Sequence, residues 1–445
     1  MWDRRVLVVG AGVSGRSAAA ALVERGAAVV VTATNPDELR DLPGVTTAPG
    51  LVEPPEGVGL VVTSPGVRPD NPLLAAAAAR GIEVIGEVEL AWRLDQERER
   101  PARWLVVTGT NGKTTTVGML EAMLRAAGLH AVACGNIGLP VVDAVRAGYE
   151  VLAVELSSFQ LHWSPSVRPF AGAVLNVEPD HLDWHGTLDA YTAAKARAFL
   201  AEVAVGGLDD PGAARLLAAA PAPRRLGFTL GEPGPDRLGV RDGRLVDTDG
   251  AVLAAVEDVN PPGPSGVLDA LAAAALARLA GALPTAIRDG LRVFEPAAHR
   301  GAVVAEHDGV RYVDNSKATN PPAAAAALRG CDSVVWLAGG LLKGADVDGL
   351  VADHAHRFRG VVLIGADRAE IAAALARHAP DVPLREVSSG DDGAMTEAVR
   401  AAADLARPGD VVLLAPAAAS WDMFRSYGHR GDAFAEAARN LERRE

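Results

Sequence analysis

At 445 residues, with 49% apolar and 22% charged side chains, the chain has an ordinary globular composition and too much length for one core; ~150 residues per domain gives about three domains. Its 43 Lys and Arg stand against 56 Asp and Glu, a net charge of −13, which argues against a nucleic-acid or anionic-membrane binder, whose footprint is basic. No apolar run reaches the ~18 residues of a membrane span and the N-terminus leads straight into a strand, so neither a span nor a signal peptide is expected and the compartment reads as cytoplasmic.

In chain order, residues 6–9 read as a buried strand, followed by Gly10-Ala11-Gly12-Val13-Ser14-Gly15 and a helix to Arg25. This is a G-x-G-x-x-G turn in strand–helix context, the layout of a dinucleotide fold. Dinucleotide enzymes place an acidic residue about 20 positions on, at the end of the second strand. Here the strand at 28–32 runs into Ala33-Thr34-Asn35, without a carboxylate. The turn therefore points to a Rossmann-like domain holding another phosphate-bearing ligand, with a dehydrogenase as a distant alternative. A strand and turn at 60–67, a helix at 72–80 and a short strand at 81–85 complete a first domain, 1–100. Residues 92–103 are strongly charged and read as a solvated linker.

Residues 105–108 then form a β-branched run ending at Gly109-Thr110-Asn111-Gly112-Lys113-Thr114-Thr115-Thr116, with helical spacing behind it at Val117, Met119, Leu120, Met123 and Leu124. Strand, glycine loop and helix start make a phosphate cradle: backbone N–H groups point at anionic oxygens, and glycine lets the backbone come close. Lys113 supplies a charge for the outer phosphates, and a Thr hydroxyl is placed to hold Mg²⁺. The strict G-x-x-x-x-G-K-[ST] pattern fails, because its first Gly falls on Val107. Further strands at 132–134, 151–154 and 173–175 end in Glu155-Leu156-Ser157-Ser158-Phe159-Gln160 and in the run from Asn176 to His185. Glu155 and His181 thus emerge at the loop's own sheet edge, where a hard cation finds oxygen ligands and accepts an imidazole. Lys195, read from composition alone, is a surface lysine on a helix. Cys134 and Cys331 lack metal or redox spacing and read as reduced buried thiols.

An Ala-rich helix at 267–279 closes this central domain, 101–296. The third block, 297–445, alternates strands at 310–313, 333–338, 361–364 and 411–414 with helices at 321–328, 369–378 and 395–406, implying another parallel sheet. The fold class is α/β in three domains: Rossmann-like, a central P-loop-type ATPase domain with a mainly parallel sheet, and a C-terminal Rossmann-like domain.

Taken together, Gly109 to Thr115, Gly135-Asn136-Ile137-Gly138, Glu155 to Gln160, Asn176 to His185 and Ala194-Lys195 resemble the Mur ligase superfamily. His299-Arg300, the run Asp314-Asn315-Ser316-Lys317-Ala318-Thr319-Asn320, Gly339 to Lys343, and Ala415 to Asp422 narrow the resemblance to the branch that adds D-glutamate to UDP-N-acetylmuramoyl-L-alanine. It covers essentially the whole chain in the right order.

The resemblance implies a cytoplasmic monomer that uses ATP and Mg²⁺ to phosphorylate the substrate carboxylate, then joins the amine of D-glutamate to it. It gives ATP contacts to Gly109, Thr110, Asn111, Gly112, Lys113, Thr114, Thr115, Arg300 and Asn315. Metal ligation falls to Thr114, Glu155, His181 and Lys195, the last as a carbamate. Lys113, Glu155, His181 and Lys195 form the catalytic set. Val13 and Ser14 would hold the uridine diphosphate, and Asn136, Ser157, Gln160 and His181 the muramoyl-alanine part. Thr319, Lys343, Ser420 and Tyr427 would contact D-glutamate. Departures fall on the nucleotide contacts. Asn315 stands where the family has Asp, with Asp314 one place earlier; Ser265-Gly266-Val267-Leu268-Asp269 replaces a run whose two Asn read adenine; Ala33 replaces an acidic residue near uracil. Two other readings stay open: a ligase for another amino acid such as L-glutamate, and a catalytically silent nucleotide-binding scaffold.

Overall fold

The apolar β-branched runs fall on strands of three sheets in the computed structural model, which describes residues 4–387 and 393–441. The first sheet holds β1 (Arg5–Val9), β2 (Ala28–Thr32), β3 (Thr46–Thr47), β4 (Val58–Thr63) and β5 (Glu83–Gly86), all parallel, in the order β3-β2-β1-β4-β5. Helices α1 (Val13–Glu24), α2 (Pro72–Ala79) and α3 (Glu87–Gln96) belong to it. Strand order reverses between β1 and β4, so the glycine turn after β1 opens at the switch point where doubly wound sheets take ligands. A Cβ on Gly15 would meet the Gly10 carbonyl oxygen at 1.9 Å, so the helix lies on the strand only because the third glycine is there.

The second sheet has nine strands in the order β14-β13-β12-β11-β10-β9-β6-β8-β7. These are β6 (Arg103–Thr108), β7 (Ala131–Gly135), β8 (Val151–Glu155), β9 (Ala171–Val174), β10 (Val203–Gly207), β11 (Arg224–Phe228), β12 (Arg237–Arg241), β13 (Arg244–Val246) and β14 (Val252–Ala255). Its helices are α4 (Lys113–Ala126), α5 (Val141–Arg146), α6 (Ser158–His162), α7 (Leu182–His185), α8 (Leu188–Ala196), α9 (Pro211–Ala218), α10 (Pro264–Leu279) and α11 (Pro284–Val293). The alanines of α10 from Ala270 to Ala277 are fully buried, and their small side chains let the helix pack on both α4 and β10. A Leu at Ala273 would overpack this layer at a cost of roughly 1–3 kcal/mol.

The third sheet runs β15-β16-β20-β17-β18-β19: β15 (Ala302–His307), β16 (Val310–Asp314), β17 (Val334–Gly339), β18 (Phe358–Ile364), β19 (Leu384–Glu386) and β20 (Val411–Leu414). It is parallel except for the β15–β16 hairpin at its edge. Helices α12 (Pro321–Arg329), α13 (Asp348–His354), α14 (Arg368–His378), α15 (Ala394–Leu405) and α16 (Tyr427–Arg439) complete it. By contacts the chain divides into two compact units, Met1–Phe294 and Glu295–Glu445, the first holding both the first and second sheets. No helix among the described residues is long and apolar enough to cross a membrane.

One expectation fails in part. Residues 92–103 are a solvated linker only in part: α3 runs to Gln96 and Asp95 is fully buried, as is Glu89 just before the run, while Gln96, Glu97, Glu99, Arg100, Pro101 and Arg103 are exposed. Asp95 accepts from the Ala102 N–H and the Trp104 indole, and its side chain is ion-paired with Arg98; Glu89 accepts from Ser166 and Arg93. Asp95 looks solvated in sequence because the chain folds back to bring Arg98, Ala102 and Trp104 onto it, and Glu89 because Ser166 comes from far along the chain. The central sheet also carries an antiparallel extension, β12–β14, that the apolar pattern does not reveal.

Candidate functional site

The register of the second sheet decides which polar residues gather. β6 lies between β8 and β9, with Val107 opposite Glu155 and Thr108 opposite Val174. The loop after β6, the end of β8 and the segment after β9 therefore leave the same edge side by side, at the reversal of strand order.

The glycine loop is laced to the β9 segment. The Thr110 N–H donates to the Asn176 carbonyl, the Asn111 N–H to Asn176 Oδ1, and Asn176 Nδ2 back to the Asn111 carbonyl. Thr110 Oγ1 donates to the Glu178 carbonyl and accepts from the Glu178 N–H. A hydroxyl has one proton, so the Tyr191 OH, 2.9 Å away, donates to Thr110. Gly112 takes φ +85° to start α4, and a Cβ there would meet Asp269 Oδ1 at 2.3 Å. Asp269, on α10, accepts from Thr116 Oγ1 and lies buried behind the loop. Lys113 Nζ donates to the carbonyls of Gly109 and Thr110, each at 2.9 Å. Thr114 and Thr115 belong to the first turn of α4.

Lys195 corrects its reading as a surface lysine. It is 1% exposed, donates from Nζ to the Gly109 carbonyl at 2.7 Å, and lies 4.5 Å from the Tyr191 ring centroid. Burial first, then the charge of Lys113, holds its pKa well below the ordinary lysine value. Glu155, 3% exposed, accepts from Asn136 Nδ2 at 2.9 Å. His181 has φ +53°, its N–H donates to Asp180 Oδ1, and its ring lies 4.7 Å from Phe159. Phe159 also meets Trp184 and His185, so the single turn α7 is anchored by rings. His185 Nε2 lies 2.9 Å from Ser158 Oγ, and burial holds the imidazole down to about 4.

Ser157 and Gln160 do a structural job that the sequence reading did not give them. They form a capping box at the start of α6: Gln160 N–H donates to Ser157 Oγ, and Ser157 N–H to Gln160 Oε1. Val13, 69% exposed, and Ser14 open α1 beside the first glycine turn.

A hard cation suits the donors present: a buried carboxylate, a Thr hydroxyl at a phosphate loop, and an imidazole. Among the described residues no group of three or more His, Cys, Asp and Glu side chains forms a metal cluster.

The C-terminal unit has its own strand-end cluster. His299, at φ +65°, pairs through Nδ1 with Asp314 Oδ2 at 2.6 Å, while Asp314 Oδ1 accepts from the Ser316 N–H. Asp314, one place from the family position, is thus engaged inside this unit. The neighbouring Asn315 N–H donates to the Leu414 carbonyl, and Arg300 follows His299. Arg430 is 1% exposed and holds three strand ends together. It donates to Ser316 Oγ and to the carbonyls of Ser316 and Ala418, and reaches that of Gly339; Ser316 Oγ in turn donates to the Tyr427 carbonyl. Burial lowers its pKa to about 10, still charged at neutral pH. Lys317 lies over the Tyr427 ring and Lys343, at φ +55°, over Trp421. A two-bond bridge between Leu341 and Ala419 joins the loops that carry Lys343 and Ser420. Thr319 precedes α12. Sequence reasoning missed Arg430, Tyr191 and the bonding of Asp269; only a helical spacing of four from Tyr191 to Lys195 hinted at one of them.

Comparisons with known proteins agree with this layout. Three family profiles match in order: "Mur ligase MurD-like, N-terminal domain" over residues 4–86, "Mur ligase middle domain" over 107–237, and "Mur ligase, glutamate ligase domain" over 299–418. A Rhodococcus jostii (strain RHA1) protein named "UDP-N-acetylmuramoylalanine--D-glutamate ligase" is 52% identical, over 99% of this chain and 96% of its own. A Mycobacterium avium (strain 104) protein of the same name is 54% identical, over 98% and 96%. The crystal structure of the UDP-N-acetylmuramate-alanine ligase MurC of Thermotoga maritima superposes with a TM-score of 0.60 at 19% identity, covering 99% of this chain and all of that one, a likeness of fold.

Proposed function

Since the chain belongs to the Mur ligase family, we propose that it joins D-glutamate to UDP-N-acetylmuramoyl-L-alanine at the expense of ATP, as a cytoplasmic monomer in peptidoglycan precursor synthesis. The observation that carries the reading is Lys195 buried against the glycine loop, in a chain more than half identical to relatives named for this reaction.

A carboxylate does not acylate an amine until one of its oxygens becomes a good leaving group. In the first step the alanyl carboxylate oxygen attacks the γ-phosphorus of ATP, the bond to the β-phosphate oxygen breaks, and ADP leaves. The resulting acyl phosphate is attacked at its carbonyl carbon by the amine of D-glutamate. A tetrahedral intermediate forms, the amine gives up a proton, and inorganic phosphate departs as the amide forms. Both partners of the first step are anions, so charge neutralisation and alignment do most of the work.

Residues 109–115 cradle the phosphates, with Lys113 as their counter-charge. Thr114, Glu155, His181 and carbamylated Lys195 would hold Mg²⁺, which supplies electrostatic stabilisation of the transferring phosphoryl group. An amine held neutral by burial is the form that adds CO₂: its nitrogen bonds the CO₂ carbon and gives up a proton, and the carbamate offers anionic oxygen ligands. Asn136, Ser157, Gln160 and His181 orient the muramoyl-alanine end, and Val13 and Ser14 the diphosphate. Arg300 and Asn315 add nucleotide contacts. Lys343 meets a glutamate carboxylate, with Thr319, Ser420 and Tyr427 around it.

The test is phosphate release from ATP with Mg²⁺ and UDP-N-acetylmuramoyl-L-alanine, supplying D-glutamate and L-glutamate separately. Release that needs D-glutamate, with the amide product seen by mass, is the expected result. Turnover with L-glutamate alone, or ATP binding without turnover, overturns it.

A further inference from the structure

Glu87 is the first residue of α3 and is only 4% exposed. Its Oε1 accepts a 2.7 Å hydrogen bond from the Val142 N–H, and the Val141 N–H also acts on it. These are opening donors of α5, whose N-cap is Pro140, a side chain with nothing to offer them. A helix of six residues gains little stability of its own. A carboxylate from α3 supplies the missing acceptor.

The segment ahead of α5, residues 135–139, carries Asn136. Its closing bond runs from the Gly135 N–H to the Leu139 carbonyl. The Asn136 N–H donates to the Glu155 carbonyl, and Asn136 Nδ2 to Glu155 Oε1. The loop is therefore held at its front by Glu155 and, through Pro140 and α5, at its back by Glu87. We infer that Glu87 is a positioning residue: by fixing the start of α5 it sets the loop that presents Asn136 to the muramoyl substrate. This rests on the reading of Asn136 as a substrate contact.

The hold depends on charge. Burial pushes the Glu87 carboxyl up to about 7, with a smaller push from Asp143 and opposition from the two N–H groups. Asp143 is itself paired with Arg146, which also meets Glu24 of α1. From β7 the Cys134 thiol lies near, pushed up by its own burial, with Glu121 of α4 acting on that thiol. A charged acceptor makes a bond roughly twice as strong as a neutral one. Ionisation strengthens these bonds but is penalised by burial, and the upward shift means that burial wins, so the hold loosens as pH rises through about 7.

The experiment compares the full-length wild type with Glu87→Ala and Glu87→Gln. Amide hydrogen exchange over residues 135–147, corrected for intrinsic rates, is read without substrates; KM is read for the uridine substrate and for ATP. Glu87→Ala is expected to speed exchange in that segment and to raise the uridine-substrate KM, each about fivefold to tenfold, with the KM for ATP and kcat much less affected. Glu87→Gln keeps a neutral acceptor at every pH, so its segment matches wild type near pH 6 and exchanges about threefold more slowly than wild type by pH 8.5. Unchanged exchange in Glu87→Ala, an equal rise in both KM values, or a Gln-to-wild-type ratio that is flat with pH overturns the inference. Absence of wild-type turnover would instead remove the proposed function, and the exchange rates would still decide the role of Glu87. If Glu87→Ala fails to fold, the pH dependence of Glu87→Gln decides alone.

Discussion

The Nζ of Lys195 donates a 2.7 Å hydrogen bond to the carbonyl oxygen of Gly109, 86 positions earlier in the chain. An amine buried there, under the field of Lys113, is driven toward its neutral form. The phosphate loop and this amine are thereby one structural unit, which ties several outcomes together.

Replacing Lys195 with Arg keeps a cation that cannot form a carbamate, and Met keeps only the bulk. Both variants should lose about 10²–10³ in kcat, the range for removing one preorganised charge-stabilising group. Wild-type turnover should fall when bicarbonate is stripped from the buffer and return when it is restored. Full activity of Lys195→Arg, measured by phosphate release, would exclude the carbamate.

Gly112→Ala meets two obstacles at once. The residue holds φ +85°, and its Cβ would stand 2.3 Å from Asp269 Oδ1. A strained backbone position costs on the order of 1–3 kcal/mol, and the contact adds to it. Thermal unfolding should show the loss, and ATP binding by calorimetry should weaken at least tenfold. Adding Asp269→Ala removes the contact and leaves the backbone strain, so the pair should recover only in part.

Asp269 also places a negative charge behind a loop built for anions. A carboxylate behind the loop opposes phosphate charge bound in front of it, and removing its charge relieves that opposition. Asp269→Asn should therefore lower the KM for ATP about fivefold while keeping an acceptor for Thr116. With the family's adenine-reading amides absent, discrimination between ATP and GTP should be loose in the wild type. A sharp preference for ATP at ordinary saturation would refute that expectation.

What the sequence disclosed follows from range. Buried parallel strands are continuous β-branched runs, and a glycine loop between strand and helix is a local pattern, so both sheet edges and the residues at their ends could be read. Lys195 could not, because its burial depends on Gly109, far away in the chain and across the sheet edge. Arg430 failed for the same reason: a charged residue on a helix looks solvated until a distant partner, here Ser316, is known. The missed hairpins had a signal. Asp242-Gly243 takes φ +50° and +68°, and Asp308-Gly309 takes φ +51° and +75°, as two-residue hairpin turns require. The flanking strands are too short and mixed for their apolar pattern to stand out.

Arg430 predicts a loss centred on the amino-acid end. Arg430→Met leaves acceptors on Ser316 and Ala418 without their donor, at ~1–3 kcal/mol each. Calorimetry should register destabilisation of about 3 kcal/mol or more, together with a raised KM for D-glutamate. Arg430→Lys should rescue little, since an ammonium cannot reproduce a planar fork of donors spread over three strand ends. A KM for D-glutamate unchanged in a folded Arg430→Lys would separate the clamp from the binding site.

Stability against pH should carry two opposing limbs in the unit Met1–Phe294. His185 is held at about 4 against an ordinary 6.5. As pH falls below 6.5 the unfolded chain takes up a proton that the folded one refuses, so stability drops until pH nears 4. Glu87 is raised to about 7 from an ordinary 4.5. Here the folded state keeps a proton that the unfolded one releases, so its contribution is full below 4.5 and fades as pH rises to 7. Denaturant titrations from pH 4 to 8 should show the acid-side loss flattened in His185→Gln and the rise toward low pH flattened in Glu87→Gln. Identical pH profiles for wild type and both variants would mean that neither group titrates differently on folding.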